Sequence, residues 1–120
     1  MRAQASVEYI FIVAFLVTLA VVVMIGVLRE TELNLGVGTA RMAAFEQAGT
    51  ERITLAGMDY SVSNGIVSFR PQLYDAAGQS VGASEAMRQR ITMRVKQVLA
   101  PYSQTENIYC VTATNYRYCA

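Results

Sequence analysis

The chain has 120 residues, a formal net charge of +1 from ten basic and nine acidic side chains, and no histidine. So small a charge, with no long basic stretch, excludes a field that would draw nucleic acid. The missing imidazole removes Ser-His and Cys-His nucleophile pairs and most zinc sites.

The chain opens Met-Arg-Ala-Gln-Ala-Ser-Val-Glu-Tyr, and nothing ionisable follows from Tyr9 to Leu28. About 20 apolar residues at 1.5 Å each cover the hydrocarbon core of a bilayer, so 9–28 reads as a membrane-spanning helix. It is apolar on all sides, as a helix surrounded by lipid or by other helices must be. Its many β-branched residues, Val13, Val17, Val21, Val22, Val23, Ile25 and Val27, would weaken a helix in water. In hydrocarbon every backbone group must bond within the segment, and helix prevails. Glu8 stands alone at the edge of this run, where a carboxylate costs something below the ~3 kcal/mol of the bilayer centre. A secretory signal peptide fits poorly. The run exceeds the usual 7–15 residues, and 26–30 offers no convincing cleavage site.

Gln4, Ser6, Glu8 and Tyr9 form the pattern Gln-x-Ser-x-Glu-Tyr directly before the apolar run. This stretch resembles the class III signal peptide of archaeal type IV pilins. The resemblance covers about the first 28 residues, roughly a quarter of the chain. It implies that a membrane peptidase cuts between Ala3 and Gln4, removing a leader of residues 1–3, with Ala3 where the family usually has glycine. Glu8 then becomes the fifth residue of the mature chain, four positions from a new α-amine at Gln4. An amine from a neighbouring subunit would offset part of the carboxylate's desolvation and fix the axial register. Cyclisation of Gln4 to pyroglutamate would remove that amine. Gln4, Glu8 and Tyr9 are thus the expected assembly residues. The resemblance implies a helical homopolymer as product. Its expected partners are further copies of the chain, a prepilin-type leader peptidase, an assembly ATPase and a membrane platform protein. The precursor would sit in the cytoplasmic membrane and the product outside the cell. The competing reading is an ordinary single-span anchor displaying a small binding domain. A minor or priming subunit is a third, and archaellum subunits share the bundle logic.

Arg29 to Leu33 is polar enough to leave the membrane while remaining helical. Two glycines in 34–38 predict a kink or break there, or a linker. Helix formers resume at Thr39 and run to Ala48, giving a long N-terminal hydrophobic helix over 4–48. A small head domain follows over 49–120, and the fold class is α+β. Ile53–Ala56 and Met58–Val62 read as strands. Asn64-Gly65 predicts a type I′ hairpin into Ile66–Arg70, with Pro71 ending that strand or placing it at an edge. Residues 75–80 read as a turn. The stretch 84–100 fits a helix capped by Ser84, aligning Met87, Ile91, Val95, Val98 and Leu99, although 91–96 also alternates as a strand would. Helix is preferred, stopped by Pro101, with its basic residues on a solvated face.

Residues 107–120 read as a strand pair bent at Ala113–Asn115, flanked by Cys110 and Cys119. Outside the cytoplasm such a pair forms a disulfide; free thiols or a partial metal site are the alternatives. Tyr102, Tyr109, Tyr116 and Tyr118 concentrate nearby, suited to packing with wet hydroxyls or to an adhesive surface. There is no glycine-rich phosphate loop, and the carboxylates are scattered. The expectation is no enzyme, with no catalytic residue, cofactor or metal site.

Overall fold

A computed structural model describes residues 2–102 and 108–120. The fold is α+β: a 50-residue helix α1 (Arg2–Glu51), then strands β1 (Thr54–Ser63), β2 (Ile66–Tyr74) and β3 (Ser80–Val81), helix α2 (Glu85–Leu99), and strands β4 (Cys110–Thr112) and β5 (Arg117–Cys119). By packing, the chain divides into two units at Thr31/Glu32.

In the first unit every described residue, from Arg2 to Thr31, is exposed. The helix is long and apolar enough to cross a membrane. Thr18 sits mid-run and donates its hydroxyl to the Ala14 carbonyl at 2.8 Å, so it leaves no unsatisfied polar group there.

The second unit, Glu32–Ala120, is the head. It includes the last part of α1. The helix is unbroken through 34–38, where the sequence suggested a kink, a break or a linker. Gly36 is a contact point instead. A Cβ built there would lie 2.7 Å from Tyr118 Cε1 and 3.2 Å from Leu99 Cδ1. Gly36, Ala40, Ala43, Ala44 and Ala48 are all buried and lie on one face of α1 at helical spacing. Short side chains there let the helix approach the sheet closely.

The sheet has the order β1-β2-β5-β4, with β3 pairing β2 beside β5. β1 and β2 form a hairpin, Ser63 opposite Ile66, turning through Asn64 and Gly65 with φ of 52° and 74°. Those positive angles are what a type I′ turn demands and what Asn-Gly supplies. The two short strands expected over 53–62 are one strand with a bulge, since the register shifts between Leu55 and Gly57. Pro71 does not end β2, which runs on to Tyr74. On the side of β2 away from β1, β5 pairs 66–68 and β3 pairs 73–74, and no described strand pairs 69–72. Pro71 falls in that gap, the one stretch of β2 with edge character.

β2 alternates cleanly, burying Val67, Phe69 and Leu73. α2 forms as expected, with Ser84 as N-cap accepting from the Met87 amide, and buries Met87, Ile91 and Val95. These two sets meet the alanine face of α1 in one core that also holds Met58 and Tyr118. Val98 is exposed rather than aligned inward. β4 and β5 form the C-terminal hairpin; of the segment read as that strand pair, Asn107 lies outside the described residues.

Gly36 and Gly38 should answer differently to alanine. Helix propensity favours both changes by about 1 kcal/mol, and a Cβ at Gly38 would meet nothing within 4 Å. At Gly36 the overpacking against a buried ring reverses the sign, costing about 1–3 kcal/mol. Thermal melts of the full chain in detergent should show Gly36→Ala less stable than the parent and Gly38→Ala equal or more stable. A Gly36→Ala protein as stable as the parent would contradict the close contact.

Candidate functional site

The residues singled out at the N-terminus, Ala3, Gln4, Glu8 and Tyr9, all fall in the first turns of α1 and are exposed. Met1 of the expected leader lies outside the described residues. Gln4 and Glu8 are four apart and share a helix face. Side chains on a helix lean toward its N-terminus, so the Glu8 carboxylate reaches back toward Gln4. The Ala3–Gln4 bond lies within the first turn, whose amides have no partners inside the helix. Unwinding those residues would therefore sacrifice few hydrogen bonds.

Behind this motif the apolar surface is continuous. Tyr9, Ile10, Phe11 and Phe15 are 62–71% exposed, and their apolar neighbours on every side of the helix are exposed as well. So large an apolar patch on a protein marks contact with lipid or with other chains. It presents no polar lining from which to build a small-molecule site.

Cys110 and Cys119 are bonded, and they stand directly opposite each other in the β4–β5 register. Tyr118, next in sequence, points to the other face of the strand and into the core. Its ring stacks on Phe69 at 6.0 Å, with Tyr116 edge-on at 6.2 Å. Tyr118 and Tyr116 thus belong to packing, whereas Tyr102 is fully exposed. Tyr109 is tied down at its hydroxyl, which donates to Glu85 at 2.8 Å, and Arg88 lies 4.0 Å over its ring.

One residue that sequence reasoning passed over organises this end of the head. The Glu32 carboxylate accepts from the Asn115 amide at 3.1 Å, from Asn115 Nδ2 at 2.6 Å, and from the Tyr118 hydroxyl at 3.3 Å. It clamps α1 to the β4–β5 turn, one helical turn before Gly36. In the sequence Glu32 was one acid in a polar stretch, and nothing local distinguished it. On the other flank Glu46 pairs with Arg94 at 3.0 Å and Arg90 at 3.7 Å, two of the basic residues read as solvated. Among the described residues no group of three or more metal-ligating side chains comes together.

Comparison of the chain with protein-family models, curated proteins and solved structures found no match. The layout of a long apolar N-terminal helix followed by a small strand-rich head is compatible with that of a pilin.

Burial holds the Tyr118 phenol above its ordinary range, and the Glu32 charge reinforces the shift. Folding thus favours the neutral phenol. The stability it lends is complete below about pH 10, the unfolded value, and is lost as pH rises above it. Denaturant melts across pH 8 to 12 should show this decline, and Tyr118→Phe should flatten it; an unchanged slope would contradict the assignment. Replacing both cysteines by serine should cost about 2–3 kcal/mol, the chain-entropy value for so short a loop.

Proposed function

We propose that this chain is the structural subunit of an extracellular, type IV pilus-like filament, processed before Gln4 and polymerised through its N-terminal helix. The observation that carries the reading is the pairing of the Gln4–Tyr9 motif with an apolar helix exposed on every side. The disulfide-closed head supports a location outside the cytoplasm. In this reading the precursor waits in the cytoplasmic membrane through 9–28. The leader peptidase removes residues 1–3, and an ATPase with its platform protein drives subunits into a bundle of apolar helices. The heads face outward, available for surface attachment.

Exchanging lipid for neighbouring helices changes hydrophobic free energy little, because lipid tails are as apolar as the helix. Assembly then rests on packing and on the few polar groups that fix register, with Glu8 the first of them. A single-span protein that displays the head as a binding domain uses the same helix without any of this. It gives no role to the motif ahead of the helix.

N-terminal sequencing or intact mass of the assembled protein should begin at Gln4 or its pyroglutamate, and an intact Met1 would sink the processing claim. Sheared cell-surface material should contain filaments built of this chain, which the anchor reading excludes. Glu8→Gln should insert normally into the membrane yet yield few filaments.

A further inference from the structure

Within the head, α1 distributes its side chains against expectation. A helix on a protein surface turns its large apolar residues inward and its charges outward. Here the inward face is glycine and alanine. Directly opposite it, Leu35, Met42 and Phe45 are 49%, 64% and 66% exposed. With Gly38 and Gly49 they recur at alternating steps of three and four residues, the spacing of a helix-packing seam. A Cβ at either glycine would meet nothing within 4 Å, so both leave the seam open to a neighbouring backbone. Beside the seam, a groove of about 450 Å³ runs between Met42 and Phe45 on α1 and Leu55 to Gly57 at the bulge of β1. Arg41 is the one charged residue among those that line it.

The flanks decide what can lie there. Arg41 stands on one side of the seam, and the Glu46 pairs with Arg90 and Arg94 stand on the other. A bilayer pressed onto this face would desolvate both flanks, whereas a single helix, about 10 Å across, fits between them. Its chemistry should be apolar with one negative charge for Arg41, which forms no ion pair within the described residues. The chain itself carries such a helix: 9–28 is uncharged, and Glu8 is the acid at its end.

We propose that the seam and groove of one subunit receive the N-terminal helix of a second copy, with Glu8 paired to Arg41. This rests on the filament reading and names the counter-ion of Glu8. With the helices parallel, as in a polar filament, Glu8 beside Arg41 brings Ile12 to Phe45 and sets the large Leu16 against the open position at Gly49. Such a pairing does not depend on the α-amine of Gln4, so it survives conversion of that residue to pyroglutamate.

The experiment is a charge reversal in the full chain, expressed in its host, with sedimentable filament as the readout. Arg41→Glu should reduce filament at least about tenfold, because a desolvated pair is replaced by two like charges. Combining it with Glu8→Arg should restore assembly. Arg41 is exposed and makes no ion pair among the described residues, so the melting temperature of the variant's head should match the parent and confirm folding. In cells expressing Glu8→Cys and Arg41→Cys chains together, filaments should contain a disulfide-linked dimer on a non-reducing gel. Normal filaments from Arg41→Glu, or filaments without that dimer, would overturn the pairing while leaving the polymer intact and giving the groove to another occupant. Absence of filaments from the unmodified chain would overturn the filament reading itself, and this proposal with it.

Discussion

The head is organised by how closely α1 can approach Tyr118. The ring reaches within 2.7 Å of where a Cβ would stand on Gly36, so only a residue without one admits this packing. Tyr118 can occupy that place because β5 enters the sheet beside β2, pairing in parallel with Val67 opposite Tyr118. Its neighbour Cys119 is bonded across to Cys110, so the strand's outer face is stapled while its inner face carries the ring. Glu32 then holds the phenol hydroxyl and the Asn115 turn from one helical turn earlier. Helix seat, strand pairing, disulfide and carboxylate clamp all act on one side chain.

A consequence is that α1 is shaped for two kinds of neighbour. Toward its own sheet it offers glycine and alanine, whose burial contributes little apolar area per residue. Most of the large apolar groups of the head come instead from β2 and α2, namely Val67, Phe69, Leu73, Met87, Ile91 and Val95, with Met58 and Tyr118 beside them. The larger residues of α1 are spent outward, along 2–31 and again at Leu35, Met42 and Phe45. A monomer in water gains nothing from such an arrangement. It becomes reasonable only if the outward faces meet lipid or other chains.

Much of the architecture was legible where the signal was local. Asn64-Gly65 dictates its turn through backbone sterics, Ser84 caps its helix, and the apolar run and the cysteine pair are compositional. What misled was tertiary. Gly36 read as a weak point, a kink or break, because propensity counts the missing Cβ as a loss, while the fold uses it as room for Tyr118. Pro71 read as a stop or as an edge residue, and the fold realises the second, since on the side away from β1 no described strand pairs 69–72. Glu32 had no signal, since its partners lie 83 and 86 residues away in sequence. The N-terminal motif differs from all of these. In the proposed filament reading its meaning lies in processing and assembly, which a single folded chain can accommodate but does not display.

The physics of leaving a membrane bears on that motif. Transfer from lipid into a helical bundle supplies almost no hydrophobic driving force, so apolar surface alone cannot select one register over another. Selection has to come from groups whose environment changes during transfer. Within the run such groups are few, because Thr18 already satisfies itself on the Ala14 carbonyl. Glu8 is the exception. Unpaired it is costly in either medium, and the cost falls only where a cation and close packing coincide. A carboxylate of this kind contributes little as glue and much as a test of position, since every wrong register leaves it buried and alone. In the proposed filament, that asymmetry is what would let an otherwise featureless helix assemble in a single way.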